Sequence, residues 1–133
     1  MVGRDGDDAA RGSEVAADDA NAPVALDAGL RGELAELTAT LCKALNDPKR
    51  LLLIYALADG PRSVGALADT LGASQTNVSQ HLAILRERGV VGTERRGPSV
   101  IYSLRYPELI GAVDQLRAIL SRELDRRQQL VAG

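Results

Sequence analysis

A single cysteine, Cys42, and a single histidine, His81, stand in a chain of 133 residues. One cysteine cannot build an internal disulfide framework, and its scarcity fits a reducing, cytoplasmic setting. Long apolar runs are missing too. The longest, Leu51 to Ala58, falls far short of the roughly 20 residues that span a bilayer. No apolar stretch follows the start in the manner of a secretory signal, so no membrane partner is expected. Catalytic constellations are equally scarce. There is no nucleophile–base pair, glycine-rich phosphate loop or carboxylate dyad, and Ser–His chemistry would have to use His81. Neither an enzyme nor a cofactor is expected. One Cys and one His cannot supply a soft metal site unless carboxylates complete it.

The length leaves room for one domain. Charge is unevenly shared along it. Residues 1–29 carry two Arg against seven Asp or Glu, a net of −5, and almost no large apolar side chains. Such a segment cannot bury enough surface to offset its chain entropy, so it is expected to be a disordered acidic tail. Residues 30–133 carry fourteen basic and eleven acidic groups, a net of +3, and 86–105 alone hold five Arg against two Glu. A mild net charge suits nucleic acid when the basic groups share one face.

The globular part, 30–128, opens on a leucine stripe. Leu30, Leu34, Leu37, Leu41 and Leu45 recur at helical spacing up to about Asn46. Asp47 before Pro48 is a helix start, and the next helix runs over about 48–58 to Gly60. Its apolar residues, Leu51 to Tyr55 and Leu57, surround most of its surface, which predicts a central buried helix. Ser63 caps a short helix that ends at Gly72. Ser74 caps another over about 75–88, ended by Gly89. Two short helices joined by Gly72, Ala73 and Ser74 form a helix-turn-helix. The period then changes. Val90, Val91 and Thr93, then Val100, Tyr102 and Leu104, flank Arg95, Arg96, Gly97, Pro98 and Ser99, which predicts a β-hairpin with a basic tip. After Pro107 a last helix carries the stripe Leu109, Val113, Leu116, Leu120 and Leu124. The fold class is mainly α with a small hairpin, a winged helix-turn-helix.

The helix at 75–88 has two faces. Val78, Leu82 and Leu85 point one way; Thr76, Gln80 and Ala83 point nearly opposite, with Asn77 and Ser79 on the flanks. Amides and hydroxyls on the leading turns of a helix can read base edges: Gln and Asn bond adenine in a bidentate way, and Ser or Thr bond several partners. Ser74, Gln75, Thr76, Asn77, Ser79, Gln80 and His81 are therefore candidate contacts to double-stranded DNA, with Arg95 and Arg96 on phosphate or in the minor groove. His81 suits either a DNA backbone contact or a hydrogen bond at the buried edge. Lys49 and Arg50 sit in the first turn of a helix, where the dipole disfavours cations. Lys49 is a candidate for phosphate, and Arg50 for a pairing with a carboxylate such as Asp47 or Glu36. The alternative function, a winged-helix protein-interaction module without DNA binding, would instead favour exposed apolar or acidic residues on these positions.

The segments LCKALNDPKRLLLIYAL (41–57), SVGALADTLGASQTNVSQHLAILRERGVV (63–91) and RRGPSVIYSL (95–104) resemble the arsenic-responsive-repressor and metallothionein-repressor family of winged helix-turn-helix regulators. The resemblance covers about 30–125. It implies a sequence-specific regulator, a repressor on an inverted-repeat operator, relieved by an inducer that the sequence leaves unknown. It also implies a symmetric homodimer joined through the first and last helices, which assigns Leu30, Leu34, Leu37, Leu41, Leu109, Val113, Leu116 and Leu120 to the interface. The departures concern metals. The short helix SVGALADTL (63–71) has no Cys or His, Asp114 is followed by Gln115 and Leu116, and no His follows His81. No metal site of the family types is expected, which leaves a non-metal or redox input. Cys42, on the edge of the first stripe, is either a candidate redox sensor or a small core hydrophobe.

Overall fold

The computed structural model describes residues 25–132. The expected tail over 1–29 thus falls mostly outside the described residues. Its last part does not: Asp27 accepts the amide of Leu30 at 2.9 Å and opens a helix at Ala28, two residues before the expected boundary. The chain divides into two compact bodies between Ala35 and Glu36. The elements are α1 (Ala28–Leu37), α2 (Pro48–Ala56), β1 (Arg62–Ser63), α3 (Val64–Leu71), α4 (Gln75–Glu87), β2 (Val91–Arg96), β3 (Ser99–Leu104) and α5 (Leu109–Ala132).

After Leu37 the helical path widens into a π-type turn over Thr38–Cys42, where the Lys43 amide reaches back five residues to the Thr38 carbonyl. The extra residue rotates the next helical turn about the axis. Leu41 and Leu45 pack on the core, whereas Leu37 stays exposed, so the single leucine stripe of the sequence is split. Arg88, at the end of α4, donates to the Ala39 carbonyl inside this turn at 2.5 Å.

Local chemistry sets the boundaries of the next helices. Asp47 accepts the Lys49 amide at 2.8 Å and Pro48 supplies the first helical residue of α2. Ser63 accepts the Ala66 amide at 3.2 Å, and Ser74 the Asn77 amide at 3.1 Å. Gly72 takes φ of +65°, which lets the Ala73 amide return to the Ala68 carbonyl and close α3. A β-carbon there would strain the backbone, so the tight turn between α3 and α4 depends on glycine. The Val90 amide closes α4 in the same way, on the Leu85 carbonyl at 2.8 Å.

The core lies where α2, α3, α4 and the start of β2 meet. Leu53, Ile54, Leu57, Leu67, Val78, Leu82, Leu85, Val90 and Val91 are buried. Each large member contributes roughly 1.5–3 kcal/mol of transfer free energy. α2 is less central than its composition predicts. It ends at Ala56, and Leu52 is 55% exposed. A helix of nine residues in a small core can bury one face only. The sheet also exceeds the expected hairpin. Its order is β1-β3-β2, with Arg62 opposite Tyr102, Ser63 opposite Ile101, and β2 paired to β3 from Val91–Leu104 to Arg96–Ser99. Strand pairing thus includes Arg95 and Arg96, and the turn between the strands is only Gly97–Pro98. Gly97 has φ of +61°, and the proline ring holds the next residue at negative φ, the pattern of a tight type II′ hairpin. α5 continues to Ala132, past the expected end at 128, and only Val113 on it is buried.

Candidate DNA-binding surface

α4 is held by its apolar seam. Val78, Leu82 and Leu85 are fully buried, and the 3.6-residue period then turns Thr76, Ser79, Gln80 and Ala83 outward, all exposed. Among the described residues the side chains of Thr76, Ser79 and Gln80 have no hydrogen-bond partner in the chain, so their donors and acceptors are available to an outside partner. Ser74, Asn77 and His81 are already engaged, whereas Gln75 is exposed and unbonded. Ser74 Oγ accepts from the Asn77 amide. The amide end of Gln75 lies back over α3, about where a β-carbon on Gly65 would touch it at 3.5 Å. Asn77 is half-buried, and its Oδ1 accepts from Lys49 Nζ at 3.0 Å. His81 is half-buried, with Nδ1 3.2 Å from Arg50 Nη1.

Arg50 does not pair with Asp47 or Glu36 through its side chain. Its Nε donates to the Ala44 carbonyl at 2.6 Å and its Nη2 to the Lys43 carbonyl at 3.2 Å. These carbonyls lie at the end of the preceding helical segment, where the Lys43 oxygen also takes the Asn46 amide at 3.3 Å, and a guanidinium satisfies them well. The geometry also fixes the imidazole. A guanidinium only donates, so the nitrogen facing it accepts, and the neutral ring carries its proton on Nε2. Asp47 remains ionised below its ordinary value. Burial alone would raise it, but the amides of Lys49 and Arg50, with His81 and the Arg50 charge nearby, outweigh that cost.

On the hairpin, Arg95 and Arg96 are exposed and point to opposite faces of β2. Arg96 Nη2 lies 3.5 Å from Glu94 Oε1, a solvated pair of little energetic weight. Arg95 has no such partner among the described residues.

A polar cluster that local sequence patterns do not reveal joins α2 to α5. Tyr55 donates its hydroxyl to Asp114 Oδ1 at 2.5 Å, Arg117 Nη1 donates to the same oxygen at 3.1 Å, and the Arg117 guanidinium sits over the Tyr55 ring at 5.4 Å. The Tyr55 hydrogen bond, followed by that of Arg117, holds the Asp114 carboxyl below its ordinary value. Tyr55 was legible as an apolar helix residue; a partner 59 residues away was not. Among the described residues no three His, Cys, Asp or Glu side chains come together in a way that could hold a metal ion, and no helix is long and apolar enough to cross a membrane.

The expected interface leucines divide into two groups. Val113 is buried within the chain, and Leu41 and Leu109 pack against its core. Leu34, Leu37, Leu116 and Leu120 are exposed, and Leu30 is half-buried. Cys42 is exposed rather than a core hydrophobe, and it borders a surface pocket of about 510 Å³ with Lys43, Leu45 and Leu116.

Two helices joined at a tight glycine turn, an outward polar face on the second, and a basic hairpin after it define a winged helix-turn-helix DNA-binding protein. Residues 47–93 match the family model described as bacterial regulatory protein, arsR family. The HTH-type transcriptional regulator Rv0081 of Mycobacterium tuberculosis is 36% identical over 95 residues, covering 71% of this chain and 83% of that protein. The structure of the transcriptional repressor BigR from Xylella fastidiosa is similar at a TM-score of 0.60 and 34% identity, over 71% of this chain and 96% of that one. The homodimeric winged helix-turn-helix DNA-binding domain of Mb0332 from Mycobacterium bovis is similar at a TM-score of 0.63 and 25% identity, over 77% and 95%. The chain belongs to the arsR family of bacterial regulatory proteins and is a DNA-binding transcriptional regulator.

Proposed function

We propose that the protein is a repressor that occupies an inverted-repeat operator as a homodimer and is released by a signal other than a metal of the family types. The observation that carries the DNA-reading part is the split of α4. Its seam is fully buried, while Thr76, Ser79 and Gln80 face outward with unused donors and acceptors. That is the arrangement a helix needs to enter a major groove without loosening its own domain. Arg95 and Arg96 on the wing supply phosphate or minor-groove contacts. The exposed leucines of α5 favour the dimer, since Leu116, Ile119, Leu120 and Leu124 form an apolar row that the chain itself leaves uncovered. The similar proteins agree in kind: one is a repressor and one a homodimer.

Two observations favour a non-metal input. α3 carries no Cys or His, and Asp114 is already bonded to Tyr55 and Arg117. Cys42, exposed on the π-type turn, is the candidate thiol for a redox signal. Selection of genomic fragments by the purified protein, followed by binding of wild type and Gln80→Ala to the recovered site, tests the reading. Recovery of a palindromic site that Gln80→Ala binds less selectively supports it. Recovery of no preferred sequence refutes it.

A further inference from the structure

Lys49 and Arg50 occupy the first turn of α2, where the helix dipole works against cations. Both reach the same edge of α4. Lys49 bonds Asn77, Arg50 faces His81, and Asn77 and His81 stand four residues apart, one turn above the other. Each contact takes up an acceptor. The ammonium only donates, so it takes one of the two lone pairs of Asn77 Oδ1 and leaves the Nδ2 protons without a partner among the described residues. The guanidinium occupies Nδ1 of His81 and leaves Nε2–H. The edge thus presents mainly donors: the Lys49 ammonium, the Asn77 amide N–H groups and the imidazole N–H. Bidentate recognition of adenine requires an acceptor beside a donor; Gln80 offers its acceptor unshared, whereas that of Asn77 is shared with the Lys49 ammonium. A phosphodiester offers only acceptors and carries the charge that Lys49 complements.

We infer that Lys49, Asn77 and His81 form a site for a DNA backbone phosphate on the edge of the recognition helix, set by the first turn of α2, and that they do not read bases. This rests on the DNA-binding reading above and divides its candidate residues in two. Thr76, Ser79 and Gln80 read sequence; the α2 edge fixes how deep and at what register α4 enters the groove.

The experiment compares full-length wild type with Lys49→Met, Lys49→Arg, Asn77→Ala, His81→Ala and Gln80→Ala. Each is bound to a random-sequence duplex and to a duplex that wild type selects from a random library, across a range of KCl concentrations. Far-UV dichroism and thermal melting confirm that each variant is folded. Lys49→Met is expected to weaken both duplexes by a similar factor and to lower the log–log salt slope by about 0.9 for each phosphate it no longer neutralises. Lys49→Arg retains both affinity and slope. Asn77→Ala and His81→Ala weaken both duplexes alike and leave the selected base preferences unchanged, whereas Gln80→Ala relaxes them. Relaxed preference at one base pair in Asn77→Ala or His81→Ala, or an unchanged salt slope in Lys49→Met, would overturn the inference while leaving the protein a DNA binder. Failure of wild type to select any sequence overturns the DNA-reading function, and this site with it.

Discussion

Gln80 and Arg96 are both exposed polar residues on the proposed DNA-binding side, yet their surroundings suit them to different tasks. Gln80 keeps both halves of its amide free on a helix whose opposite side is rigidly buried. Gln80→Ala is expected to cost roughly 1–3 kcal/mol on the operator and to relax one base pair per half-site. The salt slope should not change, because a residue that bonds a base neutralises no phosphate. Arg96 shares its charge with Glu94 across 3.5 Å on the strand. Arg96→Ala is expected to weaken operator and random DNA alike and to reduce the slope by about one unit per phosphate that Arg96 neutralises. Titrations at several salt concentrations, on both DNAs, separate the two effects. Equal weakening of both DNAs by Gln80→Ala would remove it from base reading.

At the scale of elements, capping and clasping groups hold the helices in place. Ser74→Ala removes the acceptor for the Asn77 amide and is expected to cost about 1 kcal/mol of stability, with a range of roughly 0.5–2, measured by denaturant titration. The Tyr55–Asp114–Arg117 cluster joins α5 to α2 and gives a pH signature. The folded carboxyl of Asp114 lies below its ordinary value of 3.8. Its stabilising contribution is therefore complete above the unfolded value and is lost as pH falls through the lower, folded one. Tyr55→Phe removes the largest cause of that depression. The melting-temperature gap between wild type and Tyr55→Phe should be widest at neutral pH and should narrow as the pH is taken below about 4. A gap that stays constant into acid would show that the hydrogen bond to Asp114 contributes no linkage.

Across the whole molecule, the apolar surface of α5 is what the protomer leaves uncovered. Leu116 and Leu120 are 61% and 52% exposed, so the chain's own fold does not use them. Glutamate at both positions is expected to leave the protomer folded. In a dimer joined there, it would place unpaired carboxylates in an apolar seam at a cost of several kcal/mol. Sedimentation should then show a dimeric wild type and a monomeric variant with the helical content of the wild type. A wild type that is monomeric at micromolar concentration would refute the proposed assembly. Val113, from the same stripe, behaves differently. It is buried inside the chain, so Val113→Glu is expected to unfold the protomer and not to test assembly.

These differences between residues of one stripe mark the limit of reading from sequence. Periodicity and capping are local, because their partners lie within one helical turn. The buried seam Val78, Leu82 and Leu85, the caps at Asp47, Ser63 and Ser74, and the left-handed Gly72 were all legible in the order of residues. So was the polar face of α4. Partners far apart in the chain were not legible. β1 is two residues long and exists because Arg62 and Ser63 lie beside Tyr102 and Ile101, much further along the chain. The placement of Arg50 on backbone carbonyls, of Lys49 on Asn77 and of Tyr55 on Asp114 follows from how α2 packs, and several acceptors were open to each side chain. A residue's type and local period decide which way it faces. Only packing decides which of its donors and acceptors are already spent, and therefore what it can still offer to DNA.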